Sequence, residues 1–372
     1  MRDAFDVAVI GGGLVGGAIA FGLRSLGARL AVLDEGDVAH RAARGNFGLI
    51  WVQGKGMGMP PYAAWTRRSA GEWPRLAGEL LREAGIDVAL AQPGGVHVCL
   101  SPDELAQRVA ALAALQAQPG FRRYDVEVLD RAELARRLPG IGPDVAGGTF
   151  CPQDGHCNPL KLLRALHVAS ARAGAVYRAA DGVARITPLG AGFTLDTGRG
   201  TVVAEKVVLA AGLGNAALAP MVGLAAPVRP NKGQVIALER MPRFLSLPLA
   251  TIRQTDEGTV LIGDSQEDRG FDESLQLDVL AAMAARAVRV FPALAAARVV
   301  RAWAALRVMS ADGFPIYQQS LTHPGAFLAT CHSGVTLAAA HAYAVAPAIA
   351  AGALPESLAP YALGRFDVPK AA

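Results

Sequence analysis

Gly11, Gly13 and Gly16 fall at the G-x-G-x-x-G spacing, and an acid, Asp34, follows just over twenty residues past the turn they make. The chemistry this pattern serves is the holding of a dinucleotide. Gly11 lets the chain turn sharply. Gly13 carries no Cβ, so a pyrophosphate can approach the backbone. Gly16 lets a helix and a strand pack closely. A helix that starts in such a turn offers unpaired N–H groups and partial positive charge to phosphate, and Asp34 can accept hydrogen bonds from two ribose hydroxyls.

Those residues work only on a β-turn-α-β unit, and the flanking sequence supplies one. Residues 5–10 are a short apolar run rich in β-branched side chains. Small and apolar residues follow at helical period from Leu14 to Leu26, Gly27 stops the helix, and residues 29–33 form a second strand. A secretory signal over the apolar residues 7–23 is not expected, because Asp3 and Asp6 precede the run and no basic segment does.

Composition narrows the function further. The 372 residues are 52% hydrophobic and 18% charged, enough for a large core in two domains. Lys+Arg 36 against Asp+Glu 32 gives +4, scattered rather than striped, so no nucleic-acid partner is expected. The mild positive bias suits acidic small molecules or an acidic protein patch. Cys99, Cys151, Cys157 and Cys331 show no zinc spacing; Cys151 and Cys157 enclose Asp154 and His156, but C-x₅-C is not a ligand frame and no metal is expected. They read as reduced thiols of a cytoplasmic protein. Residues 335–354 are apolar enough to suggest a membrane span, yet hold His341, Tyr343 and Pro347 and read as a core helix. Any membrane association is expected only through a partner.

Along the chain, residues 40–58 form a glycine-rich loop with embedded Phe47, Leu49, Ile50 and Trp51, suited to press its backbone against a flat aromatic ligand. Its stretch 51–55 reads as exposed and fit to meet a partner. Helices are predicted over 62–84, from the Ser101 cap to Gln118, over 130–138, from Pro159 to Ala173, over 274–291 and over 335–351. Strands are predicted over 96–100, 147–150, 176–177, 193–196, 201–203, 204–212, 234–238, 249–252, 259–262, 302–307 and 327–330. Strand 204–212 ends in Ala210, Ala211 and Gly212, which leaves room for a ligand over its carboxyl edge.

The opening fingerprint, the strand ending at Gly212, and Arg307 with Asp312-Gly313 before His332-Ser333-Gly334 coincide in one family. Together they resemble the FAD-dependent amine and amino-acid oxidoreductases related to glycine oxidase, sarcosine oxidase and D-amino-acid oxidase, over essentially the whole chain. Residues 44–56 (RGNFGLIWVQGKG) and 331–338 (CHSGVTLA) are most similar to one branch, the β subunits of D-hydroxyproline dehydrogenase, opine oxidase and hydrogen cyanide synthase.

The resemblance implies an α/β fold: a Rossmann-type FAD-binding domain from residues 1–85, 145–225 and 302–366, and a mixed-sheet substrate domain from 86–144 and 226–301. It implies FAD contacts from Gly11, Gly13, Leu14, Val15 and Gly16, from Asp34 and Glu35, and from Val183, Ala210, Ala211 and Gly212. Arg44, Gly45, Asn46, Gly48 and Leu49 would line the isoalloxazine. Ser333, Gly334, Val335, Thr336 and Leu337 would face it from the last helix's N-terminus, where the helix dipole favours the negative charge of a reduced flavin.

Arg307 would bind the substrate carboxylate, since its planar fork gives two parallel hydrogen bonds, and would also touch the cofactor. Ile50, Trp51, Thr251, Arg253 and His332 complete the implied substrate site. His332 and Asn46 are the implied polarising or positioning residues beside Arg307. Relatives often carry a tyrosine on the strand where Thr251 and Arg253 stand here.

The implied reaction is hydride transfer from the α-carbon of an amino or imino acid to flavin N5, giving an imine. D-hydroxyproline or a related D-imino acid is the expected substrate, with an opine or glycine as the alternative. A larger flavin subunit and a small iron–sulfur subunit are the implied partners, with an FMN at a subunit contact. A nicotinamide-dependent dehydrogenase would explain the first motif but leave the Ser333-Gly334 loop unused. A non-catalytic flavin electron-transfer subunit is the rival from another class.

Overall fold

The computed structural model describes residues 3–36, 42–263 and 265–367. The first residues of the loop predicted from residue 40 lie outside the described residues.

The opening strand, Asp3–Ile10, is the centre of the large sheet. It pairs in parallel with Leu30–Leu33 on one side and with Gly200–Leu209 on the other. Val176–Arg178 extends the sheet beyond Leu30–Leu33, and Ala326–Thr330 then Ile316–Gln319 extend it beyond Gly200–Leu209. Central parallel strands are covered on both faces, and these are continuously apolar: Val7 to Ile10 and Leu30 to Leu33 are buried.

Helix Leu14–Leu23 starts directly in the glycine turn. Gly11 has φ +101°, a conformation that L side chains rarely adopt. A Cβ on Gly16 would lie 1.9 Å from the Gly11 carbonyl oxygen, so strand and helix approach closely there, as the spacing predicts. On the far side, a Cβ on Gly22 would meet the Ala342 carbonyl at 2.2 Å, so the last helical segment crosses this helix in backbone contact.

Helix Pro60–Ala84 begins with two prolines and ends at Gly85, whose φ of +67° closes it. It buries Tyr62, Trp65, Trp73, Leu76 and Leu80. Trp73 is fully buried, and truncating such a side chain to alanine costs about 3–5 kcal/mol.

A four-stranded antiparallel sheet holds Ile252–Gln254, Thr259–Ile262, Val228–Arg240 and Val299–Ser310, in that order. A three-stranded sheet holds Gly95–Cys99, Gly147–Cys151 and Glu127–Asp130. An isolated bridge pairs Val96 of this sheet with Leu249, in the turn just before strand Ile252–Gln254 of the other. Pairing therefore crosses the expected segment limits at 145 and 302: Gly147–Cys151 joins strands of the second unit, and Val299–Ser310 pairs along its length with Val228–Arg240.

Several predicted elements differ. The predicted strand at 249–252 is a turn closed by Leu249 N–H to the Ile252 carbonyl, and the strand begins at Ile252. The pieces 201–203 and 204–209 are one continuous strand. Strand Val183–Leu189 went unpredicted because its exposed residues blur the alternation. The last helix is broken: α-helical turns at Ala338–Ala340 and Ala346–Ala351 flank a π-helical turn at His341–Val345. Pro347 lacks the N–H that would continue an α ladder there. No single described helix is long and apolar enough to cross a membrane.

Candidate functional site

A cavity of about 710 Å³ opens at the carboxyl ends of the central parallel strands. This is where α/β sheets of this kind take ligands. Of the residues expected to hold a dinucleotide, Gly11, Gly13, Leu14 and Val15 line it, with Asp34 and Glu35 at the end of the second strand. Val183, Ala210, Ala211 and Gly212 line it from the strands beyond, Arg44 and Asn46 from the loop, and His332 and Gly334 from the late loop.

Asp34 is tied into its own turn. Its two oxygens accept from Gly12 N–H at 2.6 Å and Gly36 N–H at 2.9 Å. The carboxylate is thereby fixed in place at the cavity wall.

Two observations fit this cavity to FAD. Gly13 has an ordinary φ of −69°, and among the described residues a Cβ there would meet only Ala43 Cβ at 3.7 Å. Neither its conformation nor the packing of the described residues requires a glycine, so the missing side chain serves what lies in the cavity. Thr330, 3% exposed, stands in the wall with a hydroxyl that finds no hydrogen-bond partner among the described residues. A buried hydroxyl without a partner is costly unless a ligand supplies one.

The remaining expected residues lie around the cavity rather than in its wall. Gly45 packs against the sheet, where a Cβ would sit 2.4 Å from Ala305 Cβ, and its carbonyl accepts from Trp303 Nε1 at 3.2 Å. Asn46, itself in the wall, accepts at Oδ1 from Gly48 N–H at 2.7 Å and bends the loop. Leu49 and Ile50 form a short strand with Gly155–His156, and Ile50 is buried in the core. Val335 and Leu337 are buried too. Thr336 Oγ1 accepts from the Trp51 amide at 3.1 Å. Ser333 Oγ accepts from Tyr62 OH at 2.8 Å and from Lys55 Nζ at 3.2 Å.

Arg307 stands in strand Val299–Ser310 between two wall residues, Leu306 and Val308. Alternation turns it to the other face of the strand. There its guanidinium lies over Gly233, where a Cβ would come within 2.4 Å, and Nη1 donates to the Ser265 carbonyl at 2.8 Å and to Asn231 Oδ1 at 3.2 Å. Its charge still reaches the cavity. Burial first, then the charges of Lys55 and Arg307, hold His332 down to about 3, so the ring is neutral. Burial pushes the neighbouring Cys331 thiol up to about 12.

Arg253 departs from the substrate role expected of it. It is 2% exposed, donates from Nε to the Phe47 carbonyl, and meets His156 Nδ1 at 3.4 Å. It braces the loop from behind. Thr251 contributes its carbonyl to Gly263 N–H.

The stretch 51–55 is not the exposed surface expected. Val52 and Gln53 are buried, held by Asp154: Oδ1 accepts from both amides, at 2.5 and 3.3 Å, and Oδ2 from Gln53 Nε2 at 2.8 Å. Asp154 is itself buried, and burial outweighs these donors to raise it to about 7. Arg108 reaches across from helix Pro102–Gln116 to Gln53 Oε1 at 2.9 Å. Also missed from sequence are His167 and Tyr177, which stack in the cavity wall beside Gly12 with ring centroids 4.4 Å apart. A histidine in an amphipathic helix carries no motif.

The comparisons with known proteins agree with this geometry. Residues 6–348 match the FAD dependent oxidoreductase (DAO) family. The chain is 46% identical over 326 residues to an opine oxidase subunit of Agrobacterium tumefaciens (strain Ach5), covering 88% of each. It is 45% identical over 366 residues to the corresponding opine oxidase subunit of Rhizobium meliloti, covering 98% of this chain and 99% of that one. The crystal structure of glycine oxidase from Geobacillus kaustophilus superposes with a TM-score of 0.88 at 27% identity, over 97% of this chain and 99% of that one. With a dinucleotide cavity built on the glycine turn and a matching second sheet, this chain belongs to the DAO family and is an FAD-dependent oxidoreductase.

Proposed function

We propose that this chain oxidises the carbon–nitrogen bond of an amino acid bearing a secondary amine, of the opine class, as one component of a larger enzyme. The observation that carries this reading is its likeness, over nearly its whole length, to a protein named as a subunit of opine oxidase. D-hydroxyproline, related D-imino acids and glycine call for the same chemistry and enter the test as rivals.

FAD supplies the acceptor for the hydride that leaves the substrate α-carbon. The amine reacts in its neutral form, its lone pair forming the imine while the N–H proton passes to water. Water then splits the imine into a primary amine and a 2-oxo acid. Arg307 would anchor a substrate carboxylate. Neutral His332 would orient the substrate by hydrogen bonding without adding charge. Asn46, by bending the loop, would set the wall that faces the substrate. Gly45, Gly48 and Leu49 would act through that loop, and Ser333 to Leu337 through the start of the last helical segment.

The larger flavin subunit, the small iron–sulfur subunit and an FMN at their contact belong to this reading, because the relatives it rests on are named as subunits. So do a cytoplasmic location and any membrane contact made through those partners.

The deciding experiment mixes the purified, FAD-loaded chain anaerobically with opines, D-hydroxyproline, D-proline, sarcosine and glycine. Bleaching of the flavin by an opine at the lowest concentration is expected. Preferential bleaching by D-hydroxyproline would move the substrate to the imino acids. No bleaching by any of them would leave the chain an electron-transfer subunit.

A further inference from the structure

Gly12 is the residue of the opening turn that the G-x-G-x-x-G spacing leaves unassigned, and it is held from both sides. Its N–H donates to Asp34 Oδ2 at 2.6 Å, and its carbonyl lies 2.6 Å from His167 Nε2. A carbonyl only accepts, so Nε2 carries the hydrogen.

The sequence brings His167 there by helix packing. Helix Pro159–Arg172 lies against helix Leu14–Leu23 at Gly17, where a Cβ would meet Leu166 at 3.6 Å and His167 Cδ2 at 3.7 Å. The imidazole then stacks on Tyr177. Tyr177 in turn closes on Gly12, where a Cβ would come within 2.8 Å of the phenol oxygen.

Gly12 and Gly13 are two of three consecutive glycines in the turn, and fixing them costs backbone entropy. The peptide joining them is planar and trans, so its C=O and N–H point opposite ways. Whatever holds the Gly12 carbonyl therefore also aims the Gly13 N–H. That N–H stands at the start of a helix whose first amides lack intrahelical partners, and Gly13 provides no side-chain cap. Such amides are the donors that a phosphate uses.

We propose that His167 is a positioning residue for FAD: its Nε2–H clamps the Gly12 carbonyl and so presets the Gly13 amide for the cofactor's pyrophosphate. The clamp acts on the phosphate part of the ligand and not on the adenine.

The test uses apoprotein of wild type, His167→Ala, His167→Gln and His167→Leu, titrated with FAD by flavin fluorescence and with ADP and adenosine by calorimetry. Loss of one hydrogen bond should weaken FAD and ADP by roughly two- to twelve-fold in the Ala and Leu variants. Adenosine, which lacks phosphate, should bind as to wild type. His167→Gln, whose amide can donate from a similar reach, should recover most of the loss, while Leu fills the space without a donor. The Leu and Gln variants keep the helix contact filled if Ala proves unstable. Equal FAD and ADP affinity in the Leu variant and wild type would overturn the proposal. So would an equal loss for adenosine, or a Gln variant no better than Leu. None of these readouts depends on which amine is oxidised.

Discussion

Trp51 and Thr336 meet across 285 positions of the chain: the Trp51 amide donates to the Thr336 hydroxyl at 3.1 Å, and that hydroxyl faces the Leu49 carbonyl at 3.4 Å. One side chain thus fastens the glycine-rich loop to the start of the last helical segment, and both carry residues of the cavity wall. Thr336→Val keeps the shape and removes the hydroxyl. It should lower stability in chemical denaturation by about 1–3 kcal/mol, because the Trp51 amide is left without a partner. Thr336→Ser should restore it; equal stability of the Val variant and wild type would show that the bond contributes nothing.

Gly13→Val should separate folding from cofactor binding. A Cβ at this position meets no atom of the described residues closer than 3.7 Å, so the apoprotein should melt near the wild-type temperature. FAD should be lost on purification, since the side chain enters the space the cofactor needs. Normal FAD content in this variant would remove Gly13 from the cofactor site.

Arg307→Ala tests the carboxylate anchor. Charge-assisted hydrogen bonds contribute about 1.5–3 kcal/mol each, and removing the arginine should cost roughly 2–4 kcal/mol in all, so substrate affinity should fall roughly thirty- to a thousand-fold. Arg307→Lys should recover only part, because a point charge lacks the fork. FAD content should stay normal, as Arg307 lies on the strand face opposite Leu306 and Val308. Anaerobic stopped-flow reduction by one reactive amino acid measures all three proteins. Wild-type reduction by the Ala variant would leave the substrate anchored elsewhere.

Asp154 should make stability fall as pH rises. Its carboxyl titrates at 3.8 when unfolded and at about 7 in the fold. Between those values the native chain holds the extra proton, so the contribution is full below pH 3.8 and is lost as pH rises through 7. Asp154→Asn cannot titrate. The melting temperature of wild type minus that of the variant should therefore be larger at about pH 5 than at about pH 8. A difference that does not change with pH would contradict the raised value.

What could be read from the sequence divides by range. The glycine turn, its helix and the strand at Asp34 were legible because each signal is local and has one physical cause. The Ser101 cap was as clear: its hydroxyl accepts from Glu104 N–H at 3.1 Å. Gln53 and Asp154 were not legible, because two polar residues far apart in sequence look exposed until the fold pairs them. Arg253 failed for the same reason: its partners Phe47 and His156 come from distant segments. Strand Val299–Ser310 was shortened in the prediction because its first three residues, Val299, Val300 and Arg301, are exposed and carry no alternation.

The order of strands in the large sheet sets a schedule for synthesis. Strand Asp3–Ile10 leaves the ribosome long before its neighbour Gly200–Leu209, whose outer flank in turn waits for Ala326–Thr330. Non-local pairing of this kind forms slowly. The nascent chain carries an uncovered apolar ribbon until most of it has been made, a state prone to sticking. A message truncated before residue 326 should therefore yield aggregate rather than a smaller flavoprotein, and chaperone supply should govern its yield in a foreign host.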